Sequence, residues 1–130
     1  MDFAVEHIGL SAQLPERLMS WYVKALDAVV VFDNRQNPPA YLLRLAGGCL
    51  IEIYPASHAV PETAYNRLGG WRHVALRVSS VTAAKAWLEA RGILFHDPVK
   101  PAGGGGSVLF FNDLEGNLIH LVERPDGFQT

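Results

Sequence analysis

Residues 72–77 read Arg-His-Val-Ala-Leu-Arg, and they repeat the pattern of residues 6–11, Glu-His-Ile-Gly-Leu-Ser. Both segments run charged residue, histidine, apolar residue, small residue and leucine, and their histidines lie 66 positions apart (73 − 7). A second match joins residues 48–53, Gly-Cys-Leu-Ile-Glu-Ile, to residues 116–121, Gly-Asn-Leu-Ile-His-Leu. Its glutamate and histidine lie 68 positions apart (120 − 52). Two matches at nearly one offset indicate that a unit of about half the chain has been duplicated.

The first half contains one helical pattern among strand-like segments. The helix begins near Pro15, a residue suited to a first helical position, and apolar residues follow at helical spacing as far as Leu26. Strands are expected at about 3–11, 28–33, 41–46 and 49–54, where apolar residues alternate or β-branched residues cluster.

The second half repeats this order. A helix is expected at about 81–91, with Gly92 just past its end as a C-cap. The strands are expected at about 71–79, 93–96, 107–112 and 117–123.

These patterns predict an α+β fold built from two βαβββ modules. Module 1 covers about 1–55 and module 2 about 71–124, within a single domain of residues 1–130. The connector, about 56–70, is rich in Pro, Ser, Asn and Gly and has no clear periodicity.

Composition excludes several classes of protein. Apolar residues make up 49% and charged residues 18% of the 130, as in a compact globular protein. A net charge of −2 with scattered basic residues argues against binding of nucleic acid. The single cysteine, Cys49, makes a disulfide within the chain impossible and favours a reducing compartment. With no secretory signal and no membrane-spanning run, we expect a soluble cytoplasmic protein without a membrane partner.

Four polar residues lie opposite the apolar faces of predicted strands, and they pair through the repeat: His7, Glu52, His73 and His120. Glu52 interrupts an apolar strand, where an unpaired carboxylate is costly. Three imidazoles and one carboxylate suit Zn, Ni, Fe, Mn or Co better than Ca or Mg. The sequence therefore predicts that these four residues hold one divalent metal, whereas His58 and His96 face solvent.

Other residues are candidates for contact with a small-molecule substrate. Tyr54, Trp71 and Arg77 occupy alternating positions on the same strand faces as the predicted ligands. Arg77 is expected to hold an anionic group, or else to be a solvated charge at a strand end. The glycines at 103–106 fit a mobile lid, a loop whose backbone approaches a ligand, or a plain turn.

Four motifs in this order resemble the vicinal oxygen chelate superfamily, which includes glyoxalase I, fosfomycin-resistance proteins, bleomycin-resistance proteins and extradiol dioxygenases. The motifs are residues 7–10, 51–53, 72–78 and 112–123. The resemblance implies paired βαβββ modules that form a curved mixed sheet around a metal-binding cavity, and a metal that chelates two neighbouring oxygens of a substrate. It also implies a homodimer. The two modules that close one cavity pair either within one chain or, as is common in small members, by exchange across a two-fold axis, in which case each site draws ligands from both chains.

One position departs from the family pattern. Glyoxalase-like enzymes have His, Glu, His and Glu where this chain has His7, Glu52, His73 and His120. The family carboxylate at the last place is both a ligand and a base in glyoxalase I, and an imidazole changes the charge and basicity there. The extradiol dioxygenases and fosfomycin-resistance proteins also keep a glutamate at that place.

The function expected from the sequence is that of a glyoxalase-like lyase or isomerase, which stabilises an enediolate or oxyanion intermediate. Glu52 or His120 would act as the catalytic base. Two alternatives remain open at this point. One is an Fe(II) dioxygenase of the extradiol type, and the other is a non-catalytic protein that sequesters a drug or ligand, as bleomycin-resistance proteins do.

Overall fold

A computed structural model describes residues 1–128 of the chain. The chain separates into two compact units, one spanning Met1–Pro61 and the other beginning at Glu62, so the boundary falls inside the predicted connector. The first unit contains β1 (His7–Ala12), α1 (Pro15–Leu26), β2 (Val29–Asp33), β3 (Tyr41–Arg44) and β4 (Leu50–Pro55). The second contains β5 (His73–Arg77), α2 (Val81–Glu89), β6 (Lys100–Pro101), β7 (Ser107–Asn112) and β8 (Leu118–Glu123). The predicted α+β fold of two βαβββ modules is confirmed.

Each unit folds around a four-stranded mixed sheet, and the two sheets have equivalent orders, β1-β4-β3-β2 and β5-β8-β7-β6. The first and last strands of each module pair in parallel, and the remaining neighbours are antiparallel. In the parallel pairs Gly9 lies opposite Glu52, and Ala75 lies opposite His120. The duplication seen in the sequence therefore extends to the register of the strands.

Helix α1 packs on the sheet of the first unit through one apolar face. Pro15 occupies its first turn, where a missing N–H costs nothing. Leu18 and Tyr22 are 0% and 3% exposed, and Ile53 of β4, which contacts this helix, is 0% exposed. Burying a leucine of this kind contributes roughly 1.5–3 kcal/mol. The helix ends where Asp27 adopts a left-handed conformation, with φ of 53°.

Helix α2 is fixed at its N-terminus by two side-chain acceptors. Ser80 is the N-cap, and its Oγ accepts from the amide of Ala83 at 3.1 Å. The amide of Val81 donates to Glu123 Oε2 at 2.7 Å. Because Glu123 ends β8, the contact ties the positive end of the helix to the strand that carries His120.

The turn between β7 and β8 is built around Asp113, which is only 6% exposed. Its carboxylate accepts from the backbone amides of Glu115 and Asn117 at 2.9 and 3.0 Å, and from the Asn117 side chain as well. These bonds satisfy a buried charge and fix the entry into β8.

Two predicted strands differ from the observed ones. The first strand begins at His7 rather than near residue 3. The strand expected at about 93–96 does not form, because Ile93 donates to the carbonyl of Leu88 and continues the turn that ends α2. Phe95 instead packs its ring against Phe111 at 5.4 Å between centroids. A short strand, β6, follows at Lys100–Pro101.

The glycine segment 103–106 is a tight turn between β6 and β7. Arg124 Nη1 donates to the carbonyls of Gly103 and Gly105 at 2.9 and 2.5 Å. Gly106 has a φ of +90°, and a Cβ at this position would overlap the carbonyl oxygen of Glu123. The turn thus lies against the backbone at the end of β8, which explains why glycine is needed at 106.

Within residues 1–128, no helix is both long and apolar enough to cross a membrane.

Candidate metal centre

In the first unit, the structure brings His7 and Glu52 together from neighbouring parallel strands. His7 Nε2 lies 3.8 Å from Glu52 Oε2, and the two side chains are 37% and 40% exposed. This distance is too long for a good hydrogen bond. When the imidazole is neutral, Nε2 and Oε2 can both offer lone pairs, and the 3.8 Å separation leaves space between them. Two ligands about 2.1 Å from a shared metal lie roughly 3–3.5 Å apart, so a small movement suffices.

In the second unit, the equivalent strands bring His73 and His120 together. Their ring centroids are 4.7 Å apart and their planes are inclined by 72°. His73 is exposed, whereas His120 is 9% exposed. Each pair has one member on the first strand of its module and the other two register positions further along the last strand.

His120 is one of the few buried polar residues among those described. Among the described residues, neither of its ring nitrogens has a hydrogen-bond partner, although both are buried. Burial lowers the pKa of His120 below the ordinary 6.5, and electrostatic interactions with His73 and Arg124 lower it further. The imidazole is therefore neutral at physiological pH. A buried lone pair without a partner is costly unless a ligand such as a metal uses it.

Phe110 is part of this arrangement, although the sequence analysis did not identify it. Phe110 lies directly opposite His120 in the antiparallel β7–β8 pair. Its ring stacks on His120 at 4.6 Å and 25° between planes, and it meets His73 edge-on at 5.8 Å. Finding it from sequence would have required the register of β7 against β8, which apolar patterning does not provide.

Each of the two exposed histidines in the predicted ligand set has an oxygen partner on Nδ1. His7 Nδ1 lies 3.0 Å from Glu6 Oε2, and His73 Nδ1 lies 2.8 Å from Asn66 Oδ1. The Nε2 atoms are not used in these two bonds.

The predicted substrate residues lie in different environments. Tyr54 follows Glu52 on the same face of β4, and its ring lies over Gly9, where an added Cβ would be 3.3 Å from Tyr54 Cε1. Trp71 precedes β5 and is 98% exposed, and Arg77 ends β5 and is also exposed.

The structure therefore brings the four predicted ligands together as two pairs, one in each unit. No group of three or more His, Cys, Asp or Glu side chains in the described part of the chain is placed to hold a metal ion. The atoms that the pairs offer, imidazole nitrogen and carboxylate oxygen, nevertheless fit a borderline divalent metal. His58 and His96 are exposed, as predicted, and His58 Nδ1 lies 2.8 Å from Ser57 Oγ.

A comparison against known families matches most of the chain. Residues 4–121 match the Glyoxalase/Bleomycin resistance protein/Dioxygenase superfamily. The chain belongs to this superfamily. The resemblance proposed from the four motifs is thus confirmed, and it covers both modules of the superfamily fold.

Solved structures show the same superfamily fold. A glyoxalase family protein from Enterococcus faecalis aligns with a TM-score of 0.78 at 23% identity, over 92% of this chain and 97% of that one. TioX from Micromonospora sp. ML1 aligns with a TM-score of 0.70 at 17% identity, over 94% and 99%. A mutant of the fosfomycin resistance protein FosX from Listeria monocytogenes, complexed with Mn(II) and 1S,2S-dihydroxypropylphosphonic acid, gives 0.71 at 18%, over 95% and 92%. No curated protein matches the chain.

Proposed function

We propose that this chain is a metal-dependent, glyoxalase-like enzyme whose divalent metal is held by His7, Glu52, His73 and His120. The observation that carries the proposal is the state of His120. Its two ring nitrogens are buried and have no partner among the described residues, beside a second histidine at 4.7 Å between ring centroids. The same register in the first unit carries the His7–Glu52 pair.

The donor set supports a borderline metal, namely Zn, Ni, Fe, Mn or Co. The complex of the FosX mutant with Mn(II) is in keeping with this range of metals. With three neutral histidines and an ionised Glu52, the ligands carry one negative charge, one less than a set with two carboxylates. A metal in this set should therefore be the stronger Lewis acid and hold an anionic substrate more firmly.

When bound, such a metal would polarise two neighbouring oxygens of a small substrate and stabilise negative charge that develops on them. Glu52 is the better candidate for the base, because its side chain is 40% exposed and therefore accessible to a substrate. His120 is buried against Phe110 and is better suited to hold its position as a ligand. Tyr54 would contact the substrate beside Glu52, and Trp71 and Arg77 would contribute an aromatic surface and a cation.

The test of metal binding is elemental analysis of protein purified without chelators. We expect about one equivalent of a divalent metal per chain, and loss of most of it in the His7→Ala/His73→Ala double variant. The matched control is the His58→Ala/His96→Ala double variant, which removes two exposed histidines outside the proposed centre and should retain the metal.

A folded protein without stoichiometric metal would refute the proposal. Ligand sequestration, as in bleomycin-resistance proteins, would then be the better assignment. If the metal is iron and the protein consumes oxygen in the presence of catechols, the reaction is an extradiol-type oxygenation rather than a lyase or isomerase step.

We also propose that the chain is a homodimer that completes its metal centres by exchanging modules. One variant would lack the first pair, through His7→Ala and Glu52→Ala, and a second would lack the other pair, through His73→Ala and His120→Ala. In an exchanged dimer, mixing and refolding the two variants restores one intact centre per heterodimer, so metal content and activity return. Failure to restore them, with native mass spectrometry of differently tagged variants showing mixed dimers, would place all four ligands within one chain.

A further inference from the structure

We infer that Asn66 and Glu6 are positioning residues, which hold His73 and His7 in the tautomer that carries its proton on Nδ1 and offers Nε2 to the metal. The inference rests on the proposed function, because it assigns a role to the partners of two of the proposed ligands. It concerns residues that lie outside the ligand set and that the sequence patterns did not single out.

The contact between His73 and Asn66 defines the tautomer. Asn66 Oδ1 lies 2.8 Å from His73 Nδ1, and an amide oxygen can only accept a hydrogen bond. The proton of a neutral His73 ring must therefore be on Nδ1. The lone pair then resides on Nε2, which becomes the only ring atom able to bind a metal.

The contact between His7 and Glu6 has the same consequence in the first unit. Glu6 Oε2 lies 3.0 Å from His7 Nδ1, and an ionised carboxylate can likewise only accept. The remaining nitrogen, Nε2, is the atom that faces Glu52 Oε2 at 3.8 Å. In this unit the lone pair freed by the hydrogen bond is thus directed to the other proposed ligand.

The two modules obtain this acceptor from different parts of the sequence. Glu6 immediately precedes its histidine, whereas the residue before His73 is Arg72, which has no acceptor atom in its side chain. Asn66, seven positions before His73, supplies the acceptor from the connector. Different residues therefore make the same bond in the two copies of the repeat.

The buried ligand is oriented in another way. The ring nitrogens of His120 have no hydrogen-bond partner among residues 1–128, but the ring is stacked on Phe110 and is only 9% exposed. The exposed rings of His7 and His73 have less packing around them, so a hydrogen bond has to restrict their rotation. Partners of this kind fix the ring orientation of metal-ligating histidines and raise their basicity.

Neither bond is expected to matter for folding. Asn66 and Glu6 are both exposed, and an exposed side-chain hydrogen bond contributes little to the free energy of unfolding. Variants at these positions should therefore fold, which separates their effect on the metal centre from an effect on stability.

The test uses Asn66→Leu, which removes the acceptor, and Asn66→Asp, which keeps one. Arg67→Leu is the control for an exposed apolar substitution at the next position. Nitrogen-15 NMR of the imidazoles, in metal-free protein at about pH 8, reports which nitrogen of His73 carries the proton. Competition with a chelator of known affinity reports binding of Zn²⁺ by the same variants.

We expect the Nδ1–H tautomer in the wild type, Asn66→Asp and Arg67→Leu, and loss of this preference in Asn66→Leu. Affinity for Zn²⁺ should fall by about tenfold or more in Asn66→Leu and remain within about threefold of wild type in the other two. An Nε2–H tautomer in the wild type, or unchanged affinity in Asn66→Leu, would overturn the inference while leaving the proposed function intact. Absence of Zn²⁺ binding in every variant, including the wild type, would instead overturn the proposed function and the role of both residues with it.

Discussion

Replacement of His120 by leucine should stabilise the metal-free protein and abolish its response to metal. The wild-type ring buries one N–H and one lone pair without hydrogen bonds among the described residues, and each such group costs about 1–3 kcal/mol. Leucine has a similar size and no polar atom. Loss of the ring stack on Phe110 and the imperfect fit of leucine in place of the imidazole should offset about 1–2 kcal/mol of this stabilisation. Two such groups together cost about 2–6 kcal/mol, so the net gain in the free energy of unfolding should be about 2–3 kcal/mol at the middle of these ranges.

The assay is urea denaturation with a chelator present, followed by the same titration with Zn²⁺. In the chelated state the midpoint should rise for His120→Leu at an unchanged slope. With metal at about a hundredfold excess over its dissociation constant, the wild type should gain about 2.7 kcal/mol and the variant very little. His96→Leu, a substitution of an exposed histidine, is the control and should change stability by less than about 0.5 kcal/mol in either state.

The opposite result has a clear meaning. If His120→Leu destabilises the chelated protein by about 1 kcal/mol or more, the imidazole nitrogens are satisfied in the metal-free state. The argument that His120 is a ligand awaiting a metal would then be wrong.

Three other predictions concern the protein without metal, and each is measured by urea denaturation. Because the pKa of His120 is lowered in the folded state, the unfolded chain binds more protons than the folded protein below about pH 6.5. The free energy of unfolding should therefore decline as the pH falls from about 7.5 to about 5.5, and it should decline less in His120→Leu. Gly106→Ala should lower the free energy of unfolding by at least about 2 kcal/mol, because φ is positive at this position and the added Cβ would overlap the Glu123 carbonyl. Gly103→Ala in the same turn is the control and should change it by less than about 0.5 kcal/mol. Equal losses in the two variants would refute this account of the turn. Ser80→Ala should cost about 1 kcal/mol through loss of the cap of α2, and no change would mean that the cap is not needed.

The repeat in the sequence was sufficient to predict the architecture. The segments that contain His7 and His73 recur at nearly the same offset as the segments that contain Glu52 and His120. In each unit the strand with the earlier segment pairs in parallel with the strand that carries the later one. The alternating burial of β4, with Ile51 and Ile53 buried and Glu52 between them half-buried, is what strand periodicity predicts. Local pattern and global fold agree in these segments.

The features that the sequence did not reveal depend on tertiary contacts. The run Ile93–His96 has the apolar content of a strand, but its first amide is used by the end of α2. Phe110 becomes part of the centre only through its position opposite His120, and Asn66 only through the course of the connector. Periodicity assigns a residue to a face, but it does not determine which side chain on another segment will meet it there.

The parallel pairing of β1 with β4 and of β5 with β8 bears on how the protein would acquire the proposed metal during synthesis. His7 and Glu52 are 45 positions apart (52 − 7), and His73 and His120 are 47 apart (120 − 73). Neither pair meets until a helix and two antiparallel strands have been made and the last strand has closed on the first. A nascent chain therefore presents single histidines, which hold metals weakly, and the complete set of proposed ligands arises only after β8 has been made. Metal uptake would then follow folding, and an excess of the wrong ion would have little opportunity to trap an unfinished chain.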